Sequence, residues 1–313
     1  MWWVLACTRA YSLTLDTNYR AVAKKNFDWV YSTQCDTVLG GGIWWRNDTH
    51  GSKNACINCP AAIAAVNLYR ITGDHGYLDK AMALHLWVRA KLYLSGRVRD
   101  NINTNRQVSN ACFTYNQGCY IGAAHGLFKE SGDSVYYREA IQTVDYTRQN
   151  LCITAGGILV DESATGDLAT FKTVFVHHMM RFIIAGKQTQ YLAWMTTNAD
   201  AVWRNRRSSD NIMWSRWNTA APATGIQAQG ASGGVALLQL IVVANTPTGI
   251  TFPQNPASPI VFPSVHRMNS PVLLNGRTLP RGAIRAPGLQ VVSSPEGTMR
   301  KHMVFPGKKT GEK

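Results

Sequence analysis

The chain has 313 residues, of which 45% are hydrophobic, and this length and composition predict one sizeable buried core. Its net charge of +14 and pI near 9.6 would suit a nucleic-acid-binding protein, but the charge is unevenly distributed. Residues 247–313 hold nine Lys and Arg against two Glu, together with ten of the twelve prolines. This composition predicts a disordered tail and not a folded basic face, so nucleic acid is excluded as a partner.

A unit that recurs along the first two thirds of the sequence ends on a tyrosine. The tyrosines are Tyr19, Tyr77, Tyr136 and Tyr191, and successive copies are 58, 59 and 55 residues apart. In each copy an apolar helix ends, the chain turns on Gly-Asp or an equivalent pair, and a second helix begins near the tyrosine. Because such a helical hairpin cannot bury its apolar face alone, successive copies must stack on each other.

The two helices of each hairpin differ in composition. The helix after the turn carries a single apolar stripe, as at Ala23 and Phe27, which is typical of an outer helix. The helix before the turn is small and apolar on nearly every side, over residues 54–68, 118–127 and 225–243. Helices of that kind belong in an interior, so the alternation predicts an all-α fold, an (α/α) toroid. About five inner and four outer helices are recognisable, where a ring of six hairpins needs twelve.

The connections from each outer helix to the next inner helix carry aromatic, amide and charged side chains. They fall within residues 40–54, 101–118 and 156–172, and all are expected at one end of the toroid. Loops on a rigid scaffold are frequent binding sites. Tryptophan faces beside amide and lysine donors suit a sugar, whose ring has apolar faces and hydroxyl edges. This pattern predicts a carbohydrate site.

Four sequence blocks stand where these connections enter the inner helices, namely Gly40–Trp45, Lys53–Ala55, Thr114–Gly118 and Phe171–Lys172. In their order and approximate spacing they resemble glycoside hydrolase family 76, the α-1,6-mannanases of bacteria and fungi. The resemblance runs from Met1 to about Ala244. It implies an (α/α)6 barrel with a substrate cleft at one end, and hydrolysis of α-1,6-linked mannan with retention of configuration.

The catalytic residues of that family are not found in this sequence. Members carry two adjacent aspartates just before a Trp-rich segment, and the segment Met1–Cys7 resembles the Trp-rich part. The sequence contains no adjacent aspartate pair, whereas a retaining glycosidase needs a nucleophile and an acid/base. We therefore expect a toroid that is truncated at its N-terminus, with no catalytic residue of its own, and an inactive chain.

Other carboxylates are weak substitutes for the missing pair. Asp161 and Glu162 are adjacent, but neighbouring residues of an extended loop point in opposite directions. A solvated loop pair is the favoured interpretation, and a contact with substrate is the alternative. Asp36, Asp48 and Asp100 are single loop acids that are expected to be solvated, and none is proposed as a nucleophile.

The family resemblance implies that mannan is bound by the first inner helix and the four blocks. One of Trp44 and Trp45 is expected to be buried as a helix-capping residue, and the other to be exposed in the cleft. Trp2 and Trp3 are expected to pack beside the aspartate pair. The predicted substrate-binding residues are Trp2, Trp3, Trp44, Trp45, Lys53, Asn54, Tyr115, Asn116, Gln117, Phe171 and Lys172.

Cysteines and histidines predict neither a metal site nor a cofactor site. Cys56 and Cys59 have redox or metal spacing but no second pair nearby, so they are interpreted as packing residues. Cys112 is a candidate for a loop disulfide if the protein is secreted. His177 and His178 are interpreted as core or surface residues, with one of them facing the cleft as the alternative.

Residues 1–246 are predicted to form a partial (α/α)6 domain, and residues 247–313 a disordered tail. The tail is either a wall-adhering extension or read-through of noncoding sequence. The full-length form is expected to be extracellular or in the cell wall, as its family is, and Asn47 begins a glycosylation sequon. The chain itself shows no signal peptide and no membrane span, since its most apolar stretch, Val235 to Ala244, is too short.

The favoured hypothesis is a glycosidase for α-1,6-linked mannan. The alternative is a non-catalytic protein that binds mannan or another wall polysaccharide. A third hypothesis is a basic scaffold for anionic partners, which would depend on the tail.

Overall fold

The computed structural model describes residues 1–153 and 157–245 and two short strands nearer the C-terminus. The chain divides into two units, Met1–Pro263 and Ser264–Lys313. The helices of the first unit are α1 (Trp2–Thr14), α2 (Thr17–Gln34), α3 (Ala55–Thr72), α4 (His75–Lys91), α5 (Thr114–Ser131), α6 (Ser134–Asn150), α7 (Phe171–Ile184), α8 (Leu192–Arg204) and α9 (Ala228–Asn245), with 3₁₀ turns at Val38–Gly40, Asp167–Thr170 and Thr189–Tyr191. Its strands are β1 (Ser52–Asn54), β2 (Tyr93–Leu94), β3 (Arg97–Val98) and β4 (Asn101–Asn103).

The predicted Gly-Asp turns join the helices of the hairpins. Gly73 ends α3 in the left-handed conformation, at φ 74°, where a glycine costs least. The carboxylate of Asp74 then accepts a hydrogen bond from the backbone N–H of Gly76 at 2.9 Å and so caps α4. Asp16 and Asp133 cap α2 and α6 in the same way. The fourth copy, which the sequence showed as looser, reaches α8 through the 3₁₀ turn without such a cap.

The inner helices pack on one another in chain order, α1 on α3, α3 on α5, α5 on α7 and α7 on α9. Each of α2, α4, α6 and α8 packs on an inner helix, and the alternation predicted from composition is confirmed. Small residues permit the close approach. A Cβ atom added to Gly118 on α5 would stand 2.6 Å from the Cα atom of Phe175 on α7. Alanines 61, 62, 64 and 65 of α3 are fully buried for the same reason.

The connections from outer to inner helices meet at one end of the first unit. Strand β1, before α3, pairs with β4, before α5, in antiparallel register with Lys53 opposite Ile102. We call this end the rim, and its connections rim loop 1 (residues 35–54), rim loop 2 (92–113) and rim loop 3 (151–170). Helices α3, α5 and α7 begin at the rim, so their opposite ends hold the Gly-Asp turns or their equivalent.

Helix α9 is long and apolar enough to cross a membrane by length and composition alone. It has 18 residues and a mean hydropathy of 1.3, so limiting the apolar stretch to Val235 to Ala244 underestimated its length. Its packing on α7 and α8 makes it the fifth inner helix, and apolar core helices pass the same test. The expected absence of a membrane span therefore stays a prediction.

In the second unit, strands β5 (Gln290–Ser293) and β6 (Met299–His302) form an antiparallel pair with Gln290 opposite His302. The rest of residues 246–313 lies outside the described residues. The predicted disorder of the tail and the domain boundary at residue 246 stay predictions.

Candidate functional site

The two tryptophans of rim loop 1 have opposite environments, as the sequence analysis expected. Trp44 is 4% exposed, and its indole N–H donates to Asp36 Oδ2 at 2.7 Å. Trp45 is 53% exposed and lines a surface groove of about 450 Å³ together with Met1 and Trp29. Trp45 therefore offers an open aromatic face at the rim, while Trp44 fixes the loop beneath it.

Lys53 is fully buried below rim loop 1 and not in an open cleft. Its ammonium group donates to Asp36 Oδ1 at 2.6 Å and to the carbonyl oxygens of Val38 and Gly41, each at 2.8 Å. An ammonium group has three donors, so none is left for a sugar hydroxyl. Burial would raise the pKa of Asp36, but the hydrogen bonds from Lys53 and Trp44 outweigh burial and lower it. Lys53 thus holds the loop in place.

Three buried amides each hold the backbone of one rim loop, and we call them the amide clasps. Asn58 accepts from the N–H of Ile43 at 2.7 Å and donates to its C=O at 3.0 Å. In rim loop 2, Gln117 accepts from the N–H of Val98 and donates to the C=O of Gly96. In rim loop 3, Asn198 of α8 accepts from the N–H of Leu159 and donates to the C=O of Gly157. All three amides are fully buried. Gln117 was predicted to contact substrate; its side chain is fully buried, and its amide oxygen and nitrogen both bond to the loop backbone.

Asn54 and Asn116 are also buried at the rim. Asn54 is 6% exposed, and its Oδ1 accepts from Ser52 Oγ at 2.7 Å. Asn116 is fully buried, and its Nδ2 donates to Asp100 Oδ1 at 2.9 Å. The Oδ1 atom of Asn116 has no hydrogen-bond partner. These two amides lie behind the surface that a sugar could reach directly.

Aromatic rings from rim loop 2, α5 and α7 meet beside these amides. Tyr115 and Phe171 stack with ring centroids 3.8 Å apart, and Phe113 packs edge-on against Phe171 at 5.4 Å. The Tyr115 hydroxyl donates to Asp100 Oδ1 at 3.1 Å. All three rings are half-buried, so they present ring edges and partial faces at the surface.

Asp161 and Glu162 bind different partners and are not a solvated pair, so the favoured interpretation was wrong. Asp161 Oδ1 accepts from Lys172 Nζ at 3.1 Å, and this lysine is 4% exposed. Glu162 accepts from the N–H and Oγ1 of Thr114 at 2.6 and 2.7 Å, which caps α5 from a neighbouring loop. Burial raises the pKa of Glu162 to about 7, although the Thr114 hydrogen bonds and Lys172 oppose the rise. Burial lowers the pKa of Lys172, because it disfavours the charged ammonium group as it disfavours the charged carboxylate of Glu162.

Asp100 is a further correction, since it was expected to be solvated but accepts hydrogen bonds from the first turn of α5. Asp36 is exposed as expected, at 41% of its side chain, but it also pairs with the buried Lys53. Asp48 fits the expectation and pairs with Arg46 in the open. The sequence positions of Asp36 and Asp100 indicated a role at the rim, because both residues lie in connections that lead into an inner helix.

Trp2 and Trp3 lie in the first turn of α1 and are 45% and 65% exposed.

The seven cysteines are free, so the predicted Cys112 disulfide is absent. His177 is exposed, and both His177 and His178 line a cavity between the inner helices, so neither lies among the rim residues. Within residues 1–153 and 157–245 no three His, Cys, Asp or Glu side chains are grouped to hold a metal ion.

The family model for glycosyl hydrolase family 76 matches residues 1–247. The chain belongs to glycosyl hydrolase family 76. Two curated relatives of this family 76 chain are named mannan endo-1,6-alpha-mannosidase DCW1. The one from Saccharomyces cerevisiae is 23% identical over 229 residues, covering 64% of this chain and 49% of the relative. The one from Candida glabrata is 22% identical over 200 residues, covering 55% and 44%. The family 76 chain thus spans about half the length of these relatives.

A solved structure supports the fold of the family 76 chain. The GH76A alpha-1,6-mannanase from Salegentibacter sp. HEL1_6 has a TM-score of 0.71 and 32% sequence identity, covering 77% of this chain and 74% of that one. An inactive variant of that enzyme, with two aspartates replaced by alanine, was solved in complex with alpha-1,6-mannotetrose, with the same TM-score and coverage. The predicted family and its helical toroid are confirmed.

Proposed function

We propose that the family 76 chain binds α-1,6-linked mannan at the rim and belongs to a retaining glycosidase for that polymer. The observation that carries the proposal is the open face of Trp45 on a rim loop whose position is fixed by Trp44, Lys53 and an amide clasp. A fixed aromatic face suits the apolar face of a mannose ring without an ordering cost on binding. The named substrates of the relatives agree with this class.

The rim carboxylates support a positioning role and not bond cleavage. A retaining glycosidase needs one carboxylate free to attack and a second group free to donate a proton. Asp36, Asp100 and Asp161 each accept hydrogen bonds from rim side chains. Glu162 has a pKa near neutrality, but both of its oxygens are engaged by Thr114. We therefore propose that the chain of 313 residues binds mannan and does not hydrolyse it.

The predicted contacts divide into two groups under this proposal. We propose that sugar is contacted by the exposed or half-buried aromatics Trp2, Trp3, Trp45, Tyr115 and Phe171. We propose that Trp44, Lys53, Asn54, Asn116, Gln117 and Lys172 hold the rim in position and do not contact sugar. This division follows from burial and from donors that are already in use.

We further propose that the protein acts outside the cell, at the cell wall, since mannans are wall polysaccharides. Asn47 supports this placement, because the sequon asparagine is exposed on rim loop 1, where a glycan could be attached. A glycosylated Asn47 would stand beside the groove that Trp45 lines.

The test is titration of the full chain with α-1,6-mannotetraose by calorimetry, with a parallel assay for new reducing ends. We expect binding, no hydrolysis, and a loss of affinity of about tenfold or more in Trp45→Ala. Trp203→Ala is the matched control, since Trp203 is 44% exposed on the outer helix α8, and should bind as the parent does.

Each outcome decides between functions. Equal binding by Trp45→Ala and the parent would contradict the rim site. Release of reducing ends would show that a carboxylate of this chain is catalytic and would remove the alternative, a non-catalytic mannan-binding protein. Binding without hydrolysis would support a non-catalytic, mannan-binding function for the isolated chain.

A further inference from the structure

The inner helices enclose a second cavity, away from the rim, that the mannan proposal does not use. A chamber of about 50 Å³ lies between α3, α5 and α7, and a vestibule of about 300 Å³ adjoins it between α1, α3 and α7. The two share the lining residues Ile63, Asn67, Arg70, His178 and Arg181. A water needs only about 10–15 Å³ of such volume, so the chamber has room for a small polyatomic ligand.

The charged side chains that line this cavity are all cationic, and they stand among apolar and small residues such as Ile63, Val66 and Gly122. Arg70, Lys129 and Arg181 come from the last turns of α3, α5 and α7, and Arg9 from α1 lines the vestibule. The four helices contain one acidic residue, Glu130, which pairs with Arg70 at 2.7 Å. Among the described residues, Arg181, Arg9 and Lys129 have no ion pair. The positive charge of the cavity is therefore not neutralised from within.

The pKa values of the chamber histidines are lowered mainly by burial, and the surrounding positive charge acts in the same direction. His125 is 9% exposed, lines the chamber, and its Nε2 has no hydrogen-bond partner. Burial, together with the cations of Arg181, Arg70 and Lys129, lowers the pKa of His125 to about 4. The pKa of His178 is lowered to about 3 by burial, Arg181 and His177. Burial and the positive charges of Arg70 and Arg9 lower the pKa of Arg181 to about 10.

An unpaired cation cluster around an unsatisfied buried imidazole in a concave space fits an anion. Guanidinium groups match the geometry of a tetrahedral oxyanion with paired N–H donors. Arg181, Arg9 and Lys129 are exposed, so a ligand that enters from the open side of the cavity can reach them. We propose that the chamber binds a phosphate-class oxyanion, with Arg181 as its principal ligand and Arg70 and His125 as flanking donors. The vestibule leaves room for the remainder of a phosphorylated molecule.

The chamber and the mannan rim are at opposite ends of the inner helices, so this inference does not depend on the rim function. The test is calorimetric titration of the full chain with inorganic phosphate at constant ionic strength, with chloride as the reference salt. Thermal unfolding in the same buffers provides a second measurement. We expect a heat of binding and a higher unfolding midpoint in phosphate than in chloride.

Two variants separate the chamber from general charge effects. Arg181→Gln should weaken phosphate binding about tenfold or more, because one charge-assisted contact is lost. Arg138→Gln removes an exposed arginine from the outer helix α6 and should bind phosphate as the parent does. Equal losses in the two variants, or no binding by the parent, would overturn the proposal.

An NMR titration of His125 gives a measurement that a folding defect would not imitate. A bound anion favours the imidazolium, so phosphate should raise the pKa of His125 from about 4, and should not do so in Arg181→Gln. An unchanged His125 pKa at saturating phosphate would contradict the site. If a hexose phosphate binds more tightly than inorganic phosphate, the vestibule holds the sugar part of the ligand. If the hexose phosphate binds more weakly, the ligand of the chamber is free phosphate.

Discussion

The two ends of the inner helices treat charge in opposite ways. At the rim, two buried lysines have carboxylate partners, Lys53 with Asp36 and Lys172 with Asp161, and the loops are fixed by these pairs. In the chamber, the exposed Arg181 and Arg9 have no acidic partner among the described residues, and the buried Nε2 atom of His125 has no hydrogen-bond partner. Satisfied charges hold a surface in shape, whereas unsatisfied charges of one sign create a potential that a ligand can neutralise. The comparison therefore supports a structural role for the paired charges of the rim and a ligand-binding role for the unpaired cations of the chamber.

The largest expected effect comes from removing a paired rim charge. Lys53→Met should lower the free energy of unfolding by about 3 kcal/mol, because Asp36 and the two loop carbonyls lose their donor. Part of the loss is recovered by water, since the Asp36 side chain is 41% exposed. The measurement is denaturant unfolding, with the exposed Lys25→Met on α2 as the control. A difference below about 1 kcal/mol would show that the rim does not depend on this pair.

A smaller effect is expected from Glu162, and it depends on pH. Its pKa is raised from 4.5 to about 7 in the folded chain, so between these values the folded state holds a proton that the unfolded state has lost. Stability therefore falls as pH rises from about 4.5 to 7. Glu162→Gln imitates the protonated carboxyl and should be more stable than the parent by about 2 kcal/mol at pH 8, and equal to it below pH 4.5.

The Glu162 prediction is checked by unfolding both proteins across the pH range. Chamber histidines with lowered pKa values act in the opposite direction, since stability rises with pH as their unfolded forms lose protons near 6.5. Because both proteins contain these histidines, their contribution cancels in the difference between the parent and Glu162→Gln. A pH-independent difference would show that folding does not shift the pKa of Glu162.

The smallest effect is expected in the chamber. Arg181→Gln should change the free energy of unfolding by less than about 0.5 kcal/mol without added phosphate, because no partner is left unpaired and like-charge repulsion is relieved. Denaturant unfolding at low ionic strength measures this change in the free energy of unfolding, and Arg138→Gln is the control variant. A loss comparable to that of Lys53→Met would mean that Arg181 is a structural cation, and the contrast between the two ends would fail.

The fold could be predicted from local signals, whereas most of the site could not. The Gly73-Asp74 turn is encoded in adjacent residues, and the same kind of turn recurs at a fixed period. The opposite environments of Trp44 and Trp45 followed from their adjacency on a loop that enters an inner helix. The partners of Asp36 and Asp100 depend on how loops close over helices 15 or more residues away, which no local pattern records. Sequence position indicated which loops matter, but not which side chains face outward.

The chamber could have been recognised from the repeat. Arg70 and Lys129 each stand three residues before a turn glycine, so they occupy the same place in successive hairpins. Cations in the last turn of a helix also interact favourably with its dipole, which makes them easy to overlook as ordinary helix ends. What the repeat did not show is that the same turns face a shared cavity with one acid among them.

The amide clasps have a consequence for how the rim can vary. Asn58, Gln117 and Asn198 each accept from one backbone N–H and donate to one backbone C=O, so these bonds do not depend on side-chain chemistry. The clasped segments themselves are closely constrained, because Gly42, Gly96 and Gly157 have positive φ angles and leave little or no room for a Cβ atom. We therefore expect differences in glycan preference among relatives at exposed rim positions such as Trp45, and not within the clasped segments.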